Sequence, residues 1–277
     1  MKINLLDSNF AHHPNNSVAY KQHSRHIDWE RSGDVISNSC FFTDIHLQDV
    51  DRVKHINRKV AWLLEPRAIN PGIYDWISSN NRKFDFVLTF DRELIERGEN
   101  FLFYPYGTTW IDSPDYTKEY EKTKLFSIIG SNKRMTPGHD FRNEVIKYCL
   151  DRGDVDVFGR GYNEIQNKEE GLDQYMFSIV MENSRANYYF SEKLLDCFCT
   201  ETVPVYWGCD VSQFFNMSSI MTFNTIEDLD NLLNSLTSTI YDSLRLSGVA
   251  ENRSVAIHEE YIIPENWIYK HYNFLCN

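Results

Sequence analysis

The chain has 277 residues, of which 42% are hydrophobic, 25% charged and 14% aromatic, a length that holds about 1.8 domains of ordinary size. That composition excludes a disordered chain, a collagen-like repeat and a disulfide miniprotein. With 28 Lys and Arg against 40 Asp and Glu the net charge is −12, which argues against general nucleic-acid binding, since displacing counterions needs a basic footprint.

No long apolar region precedes the first carboxylate, Asp7, so the start does not read as a signal peptide. No run approaches the ~18 apolar residues that span a bilayer. Six cysteines (Cys40, Cys149, Cys197, Cys199, Cys209 and Cys276) form no CxxC pair and no metal-ligand spacing. They read as small buried side chains in a reducing compartment. The expectation is a cytoplasmic protein with no transmembrane anchor.

In chain order, residues 3–6, 60–64, 84–89 and 101–104 are the strand candidates of the first half. Asn70-Pro71 reads as an N-cap followed by Pro at the first helical position, with Ile73, Trp76 and Ile77 on one apolar face. Asp91 caps a second short helix. Residues 41–59 carry no clear pattern. The alternation implies parallel βαβ units. Polar residues 108–124, with Ser-Pro-Asp inside, read as the linker between an N-terminal domain (1–115) and a C-terminal one (120–277), the final helix being free to pack back on the first lobe.

After the linker, residues 125–129 read as a strand, 130–138 as a loop, and a helix follows with Phe141, Val145, Ile146 and Cys149 on one side. Val155–Phe158, Tyr175–Met181 and Val203–Trp207 are further strands, and Glu192–Cys199 is a helix. Beyond Thr225 the pattern is mainly helical, ending in the aromatic-rich stretch 261–274. The fold class is α/β, with two doubly wound lobes.

Ligands of open parallel sheets bind beyond the C-terminal strand ends. Those loops carry Ser131, Asn132, Lys133 and Arg134, then Arg142 in the first turn of the next helix, then Gly159, Arg160 and Gly161, then Glu182, Asn183, Ser184 and Arg185. Cations, amides and hydroxyls converging in an acidic protein suggest an anion site. Ser191 is a good N-cap, and Phe190 and Leu195 match a hydrophobic staple. The positive end of that helix, with Lys193 in its first turn, suits a diphosphate. Other features take ordinary readings. Asp154-Val155-Asp156 fits a metal-binding DxD pattern, but Asp156 falls inside a strand. Gly159-Arg160-Gly161 lacks the third glycine of a dinucleotide fingerprint. His12 and His13 are loop histidines able to face an acceptor, and the aromatics of 267–274 read as core.

The segment 182–208 resembles the donor-binding signature of the family 10 glycosyltransferases, the α1,3/α1,4-fucosyltransferases. The matching residues are Glu182-Asn183-Ser184, Tyr188, Ser191-Glu192-Lys193 and Val203-Pro204-Val205-Tyr206-Trp207-Gly208, with Met181, Ser191 and Trp207 as mild departures. Weaker similarity covers residues 126–132 with Arg142, residues 155–159, and Tyr104-Pro105-Tyr106-Gly107. Trp62-Leu63-Leu64-Glu65-Pro66 resembles the strand whose terminal Glu is the family's proposed base, without the family's Ser.

The resemblance implies a GT-B fold, two Rossmann-like lobes with the active site in the cleft between them. It implies an inverting, metal-independent transfer of a sugar, fucose from GDP-fucose first, to a glycan acceptor. No cofactor beyond the nucleotide-sugar co-substrate is expected. Glu65, Glu182 and Lys193 take the catalytic roles, with Asp44 as the substitute for Glu65. Ser131, Asn132, Arg142, Gly159, Arg160, Asn183, Ser184, Tyr188, Ser191, Glu192 and Lys193 surround the donor. The absence of an anchor and of disulfides is similar to the soluble microbial or viral members. A different nucleotide-sugar, or a non-catalytic sugar- or nucleotide-binding protein, are the competing readings.

Overall fold

The computed structural model describes residues 1–8, 23–32, 34, 36–112 and 117–276. His12 and His13 lie outside them. The chain forms two units: Met1–Thr108 with Ala186–Tyr189 and Glu260–Asn277, and Thr109–Arg185 with Phe190–Glu259.

The first unit is a six-stranded sheet, every pairing parallel. Its strands are β1 (Lys2–Leu6), β2 (Asp28–Glu30), β3 (Ser39–Thr43), β4 (Arg58–Trp62), β5 (Phe86–Thr89) and β6 (Phe101–Phe103), in the order β2-β1-β3-β4-β5-β6. Side chains alternate across a strand, so neighbours in sequence enter opposite cores. Phe41 and Trp62 join Trp29, Tyr104 and Trp267 on one face. Phe42 and Ala61 join Ile73, Tyr74 and Ile77 on the other. Helix α1 (Pro71–Asn80) starts at Pro71 as expected, and α2 (Arg92–Glu96) is capped by the Asp91 side chain, which accepts from the Leu94 N–H at 3.0 Å. The unassigned stretch 41–59 holds the end of β3, a 3-10 turn at Asp44–Asp49, and the start of β4.

The second unit is a five-stranded parallel sheet: β7 (Lys124–Ile129), β8 (Val155–Phe158), β9 (Tyr175–Met181), β10 (Val203–Trp207) and β11 (Met221–Thr222), ordered β11-β10-β9-β7-β8. Its helices are α3 (Pro137–Arg152), α4 (Glu192–Cys199), α5 (Ile226–Ser235), α6 (Ser238–Leu244) and α7 (Ala250–His258); α8 (Pro264–Tyr272) belongs to the first unit. Phe126, Ile128, Phe177, Ile179, Val203 and Val205 pack on Val145, Ile146 and Cys149 of α3 and on Leu229 and Leu233 of α5. Two details differ from the sequence reading. Helix α3 begins at Pro137 under a Thr136 cap, so Arg142 sits in its second turn rather than its first. The described residues of the polar stretch after Thr108 are packed rather than free. Thr109 and Ile111 are buried, and the Lys122 ammonium donates to the Leu172 carbonyl (3.0 Å) and the Thr202 hydroxyl (2.9 Å) within the second unit.

Among the described residues no helix is long and apolar enough to cross a membrane. All six cysteines are free thiols.

Candidate functional site

The second sheet grows first from β7 to β8, then reverses and adds β9, β10 and β11 on the other side. The reversal lies between β7 and β9, which is where open α/β sheets bind ligands. A cavity of about 210 Å³ opens there. Ile129, Gly130 and Ser131 leave β7 along one wall, and Ile179 to Met181 end β9 along another. Arg142 comes from α3, Lys168 and Leu172 from the 3-10 segment before β9, and Glu192, Lys193, Asp196 and Cys197 from α4.

The N-terminus of α4 is built from two buried groups. Glu182 extends β9 by donating its backbone N–H to the Trp207 carbonyl at 3.0 Å. Its carboxylate accepts from the Ser191 N–H (2.9 Å) and the Ser191 hydroxyl (2.6 Å). Ser191 in turn caps the helix, its hydroxyl oxygen facing the Lys193 N–H at 3.4 Å and accepting from the Lys193 ammonium at 3.0 Å. That ammonium also lies 3.2 Å from Glu192 and 3.7 Å from Glu182. Glu182 is fully buried and does not line the cavity. Ser191 donates to both of its oxygens, so the structure does not bring the Glu182 carboxylate to the cavity wall.

Lys168 and Asp196 complete the cluster, and the sequence reading missed both. The Lys168 ammonium donates to Asp196 at 2.7 Å and lies 3.5 Å from Glu192. The other oxygen of Asp196 accepts from the Thr109 hydroxyl (2.7 Å) and the Trp110 N–H (2.8 Å). One carboxylate thus ties residues 109–110, α4 and the 3-10 segment together. Burial penalises the Glu192 charge, yet Lys193 and Lys168 outweigh it and hold that carboxyl at about 2. Burial raises Asp196, with Lys168 opposing. His139, beside the cavity in α3, is pushed down to about 4 by burial, then by Arg142 and Lys193, and is neutral at physiological pH. Its Nδ1 is 2.8 Å from the Thr136 hydroxyl. Three cations and two carboxylates line the cavity, a local positive excess in an acidic chain.

The structure therefore brings Ser131, Arg142, Glu192 and Lys193 to one cavity, with Ser191 in the cap beside them. Other expected donor residues stand apart from it. The Asn132 N–H donates to the Arg160 carbonyl at 3.3 Å, and Arg160 is exposed. Gly159 is needed by the backbone: at φ 109° a Cβ there would sit 2.0 Å from the Gly130 carbonyl oxygen. The Asn183 carbonyl accepts from the Thr136 hydroxyl at 2.8 Å, while Ser184 buries its hydroxyl. Tyr188 belongs to the first unit, where its ring meets Phe103. Asp154 and Asp156 pair with Arg152 (2.7 Å) and Lys124 (3.1 Å). Among the described residues no three His, Cys, Asp or Glu side chains gather in a metal-binding group.

Glu65 follows β4 in the first unit, half-buried, with its carbonyl accepting from the Tyr74 hydroxyl at 2.9 Å. The Asp44 carboxylate accepts from the backbone N–H groups of Leu64 (2.9 Å) and Glu65 (3.4 Å). Asp44 is itself buried at φ 40°. These two bonds clamp the backbone at Glu65.

Residues 119–244 match the family model for glycosyltransferase family 10 (fucosyltransferase), C-terminal part. The second unit is thus similar to the C-terminal part of the family 10 glycosyltransferases. Over 74 residues the chain is 35% identical to alpha-(1,3)-fucosyltransferase FucT of Helicobacter pylori, covering 26% of this chain and 15% of that one. Over 191 residues it is 24% identical to 4-galactosyl-N-acetylglucosaminide 3-alpha-L-fucosyltransferase 9 of Homo sapiens, covering 63% and 52%. The chain thus spans about half or less of these curated relatives' length. A solved α1,3-fucosyltransferase with GDP aligns at TM-score 0.56 and 18% identity, over 91% of this chain and 82% of that one. The form with GDP-fucose aligns at 0.52 and 19%, over 82% and 73%. Such identities speak for the fold, and the two parallel α/β units are those of the GT-B class.

Proposed function

We propose that this chain transfers fucose from GDP-fucose to a hydroxyl of a glycan acceptor, with inversion at the anomeric carbon and without a metal. The observation that carries this reading is the cavity of the second unit. There Arg142, Lys168 and Lys193 meet the capped end of α4 at the sheet's switch point. At about 210 Å³ it is smaller than the roughly 300–1,000 Å³ of sites that enclose a whole drug-sized ligand. It suits the diphosphate end of the donor, which leaves as an anion when the bond to the sugar breaks. Fixed cations and the helix N-terminus stabilise that growing charge in a preorganised, partly dry site. Glu182 contributes by fixing Ser191, and Asp196 by fixing Lys168. Glu65 takes the proton of the acceptor hydroxyl as general base. A single displacement of this kind inverts the anomeric centre.

Calorimetry with GDP in EDTA tests the donor half. Binding is expected, and binding restored only by manganese would overturn the metal-free mechanism and return attention to Asp154 and Asp156. A transfer assay with GDP-fucose, GDP-mannose and UDP-galactose against galactosyl-N-acetylglucosamine acceptors tests the sugar. Tight donor binding with neither transfer nor donor hydrolysis would make the chain a nucleotide-sugar binder instead.

A further inference from the structure

A lysine drawn into a folded interior normally meets a carboxylate, because an unpaired ammonium out of water is costly. Lys168 and Lys193 obey this rule beside α4, through Asp196 and Glu192. Lys122, partly buried two residues before β7, does not. Among the described residues its ammonium forms no ion pair. It donates to two neutral oxygens, the Leu172 carbonyl at 3.0 Å and the Thr202 hydroxyl at 2.9 Å, and faces the Tyr120 ring at 5.4 Å. The Thr202 hydroxyl donates to the same Leu172 carbonyl at 3.1 Å, which closes a triangle.

That triangle backs the wall of the cavity beside α4. Leu172 lines the cavity and ends the 3-10 segment Lys168–Gly171, which carries Lys168. The Thr202 N–H donates at 2.8 Å to the carbonyl of Cys197, another lining residue. The Thr200 hydroxyl, 3.0 Å from that of Thr202, donates to the Asp196 carbonyl at 2.8 Å. One amine thus joins the entry to β7, the segment bearing Lys168 and the end of α4. Burial pulls this ammonium down to about 7. Asp173 and Glu201 oppose the fall, Arg245 adds to it, and the Cys197 thiol, itself pushed up by burial, stays neutral.

We propose that Lys122 is a positioning residue of the donor site, whose amine clamps Leu172 to the end of α4 and supplies a counter-charge when an anion fills the cavity. The inference rests on the reading of this cavity as the GDP site. An anion nearby favours the ammonium over the amine. The GDP-bound protein then holds more protons than the free one, so GDP affinity falls as pH rises through neutrality.

Calorimetry of the full chain with GDP, in buffers of differing ionisation enthalpy, counts those protons. The terminal phosphate of GDP titrates near 6 with either protein, so the quantity read is the difference between the wild type and Lys122→Met. At pH 7.5 the wild type should take up about a quarter to half a proton more per GDP. Lys122→Met should weaken GDP binding, with a deficit about threefold to sixfold larger at pH 6.5 than at pH 8.5. The lysine Cε resonances of the wild type, followed from pH 6 to 9, give a second reading that needs no variant. One amine should titrate near neutrality, its proton affinity rising about threefold to tenfold when GDP is added. A GDP deficit in Lys122→Met that is absent or independent of pH, with an unchanged proton count, makes Lys122 a packing residue and overturns the inference. A wild type that binds GDP while no lysine titrates below pH 9, or while that lysine stays unmoved, overturns it too and leaves the donor reading standing. A wild type that binds no GDP strikes the donor reading itself, and this inference falls with it.

Discussion

Replacing Lys193 by alanine probes the donor site and the fold together. A lysine in the first turn of an isolated helix contributes little, since the macrodipole disfavours it there. Here its ammonium lies 3.7 Å from Glu182, a carboxylate with no exposed surface. In the folded state burial raises the Glu182 carboxyl, while Lys193 opposes the rise. Removing Lys193 leaves that charge with its two Ser191 hydrogen bonds and no adjacent cation. Breaking a fully buried pair costs about 3–5 kcal/mol. With the lysine side chain 21% exposed and Ser191 still bonded, about 1–3 kcal/mol is the expected loss at pH 7.5, a fall in Tm of roughly 2–10 °C.

The sign with pH follows from linkage. A carboxyl with a raised folded pKa holds more protons in the folded state, so stability falls as pH rises above the ordinary value near 4.5. Lys193→Ala should therefore lose most at neutral pH and little near pH 4.5. Adding Glu182→Gln should return part of the loss. Separately, GDP affinity should drop by about tenfold to 150-fold, the loss of one charge-assisted contact. Differential scanning fluorimetry from pH 4.5 to 8, with GDP calorimetry, reads both effects. A Tm deficit independent of pH and unaffected by Glu182→Gln would refute the coupling of the two residues. An unchanged GDP affinity would remove Lys193 from the donor site.

Glu65→Gln should lower turnover by about 10²–10⁴-fold with GDP affinity unmoved, as for any general base, and a steady-state transfer assay measures both. Gly159→Ala should fail to give a folded second unit, because its Cβ would lie 2.0 Å from a backbone oxygen at φ 109°; a native-like melting curve would contradict this. His139 has an imidazole depressed to about 4, so stability should fall as pH drops from about 6.5 toward 4, where only the unfolded chain takes up the proton. His139→Asn should flatten that slope in denaturant titrations across the same range.

The strands Val155–Phe158, Tyr175–Met181 and Val203–Trp207 and the helix Glu192–Cys199 were legible to the residue. Buried parallel strands read as near-continuous apolar runs, interrupted here by Asp156 and Ser178, and Gly159, Ser191 and Gly208 punctuate them. The edge strands β2, with one apolar residue in three, and β11, two residues long, carry too little pattern to read. β3 was missed for another reason: polar Ser39 and Thr43 bound an apolar stretch of only three residues, Cys40, Phe41 and Phe42. The cations and hydroxyls at strand ends were legible as types, because the topology rule assigns loops without needing contacts. Partners were not.

Asp196 left the one available signal, a carboxylate inside Leu194-Leu195-Asp196-Cys197-Phe198, where burial demands a counter-charge. Nothing local to Lys168, 28 residues away, says that it is that counter-charge. Glu182 carries the same argument further. Position alone puts it at a strand end beside a ligand. The fold places Ser191 over it at 2.6 Å, and a carboxylate covered in this way acts by fixing the helix cap. What a residue type can do is written in the sequence, but which group it spends that capacity on depends on tertiary neighbours. Around this cavity, Glu182 spends its charge on Ser191, and Asp196 spends its own on Lys168, Thr109 and Trp110.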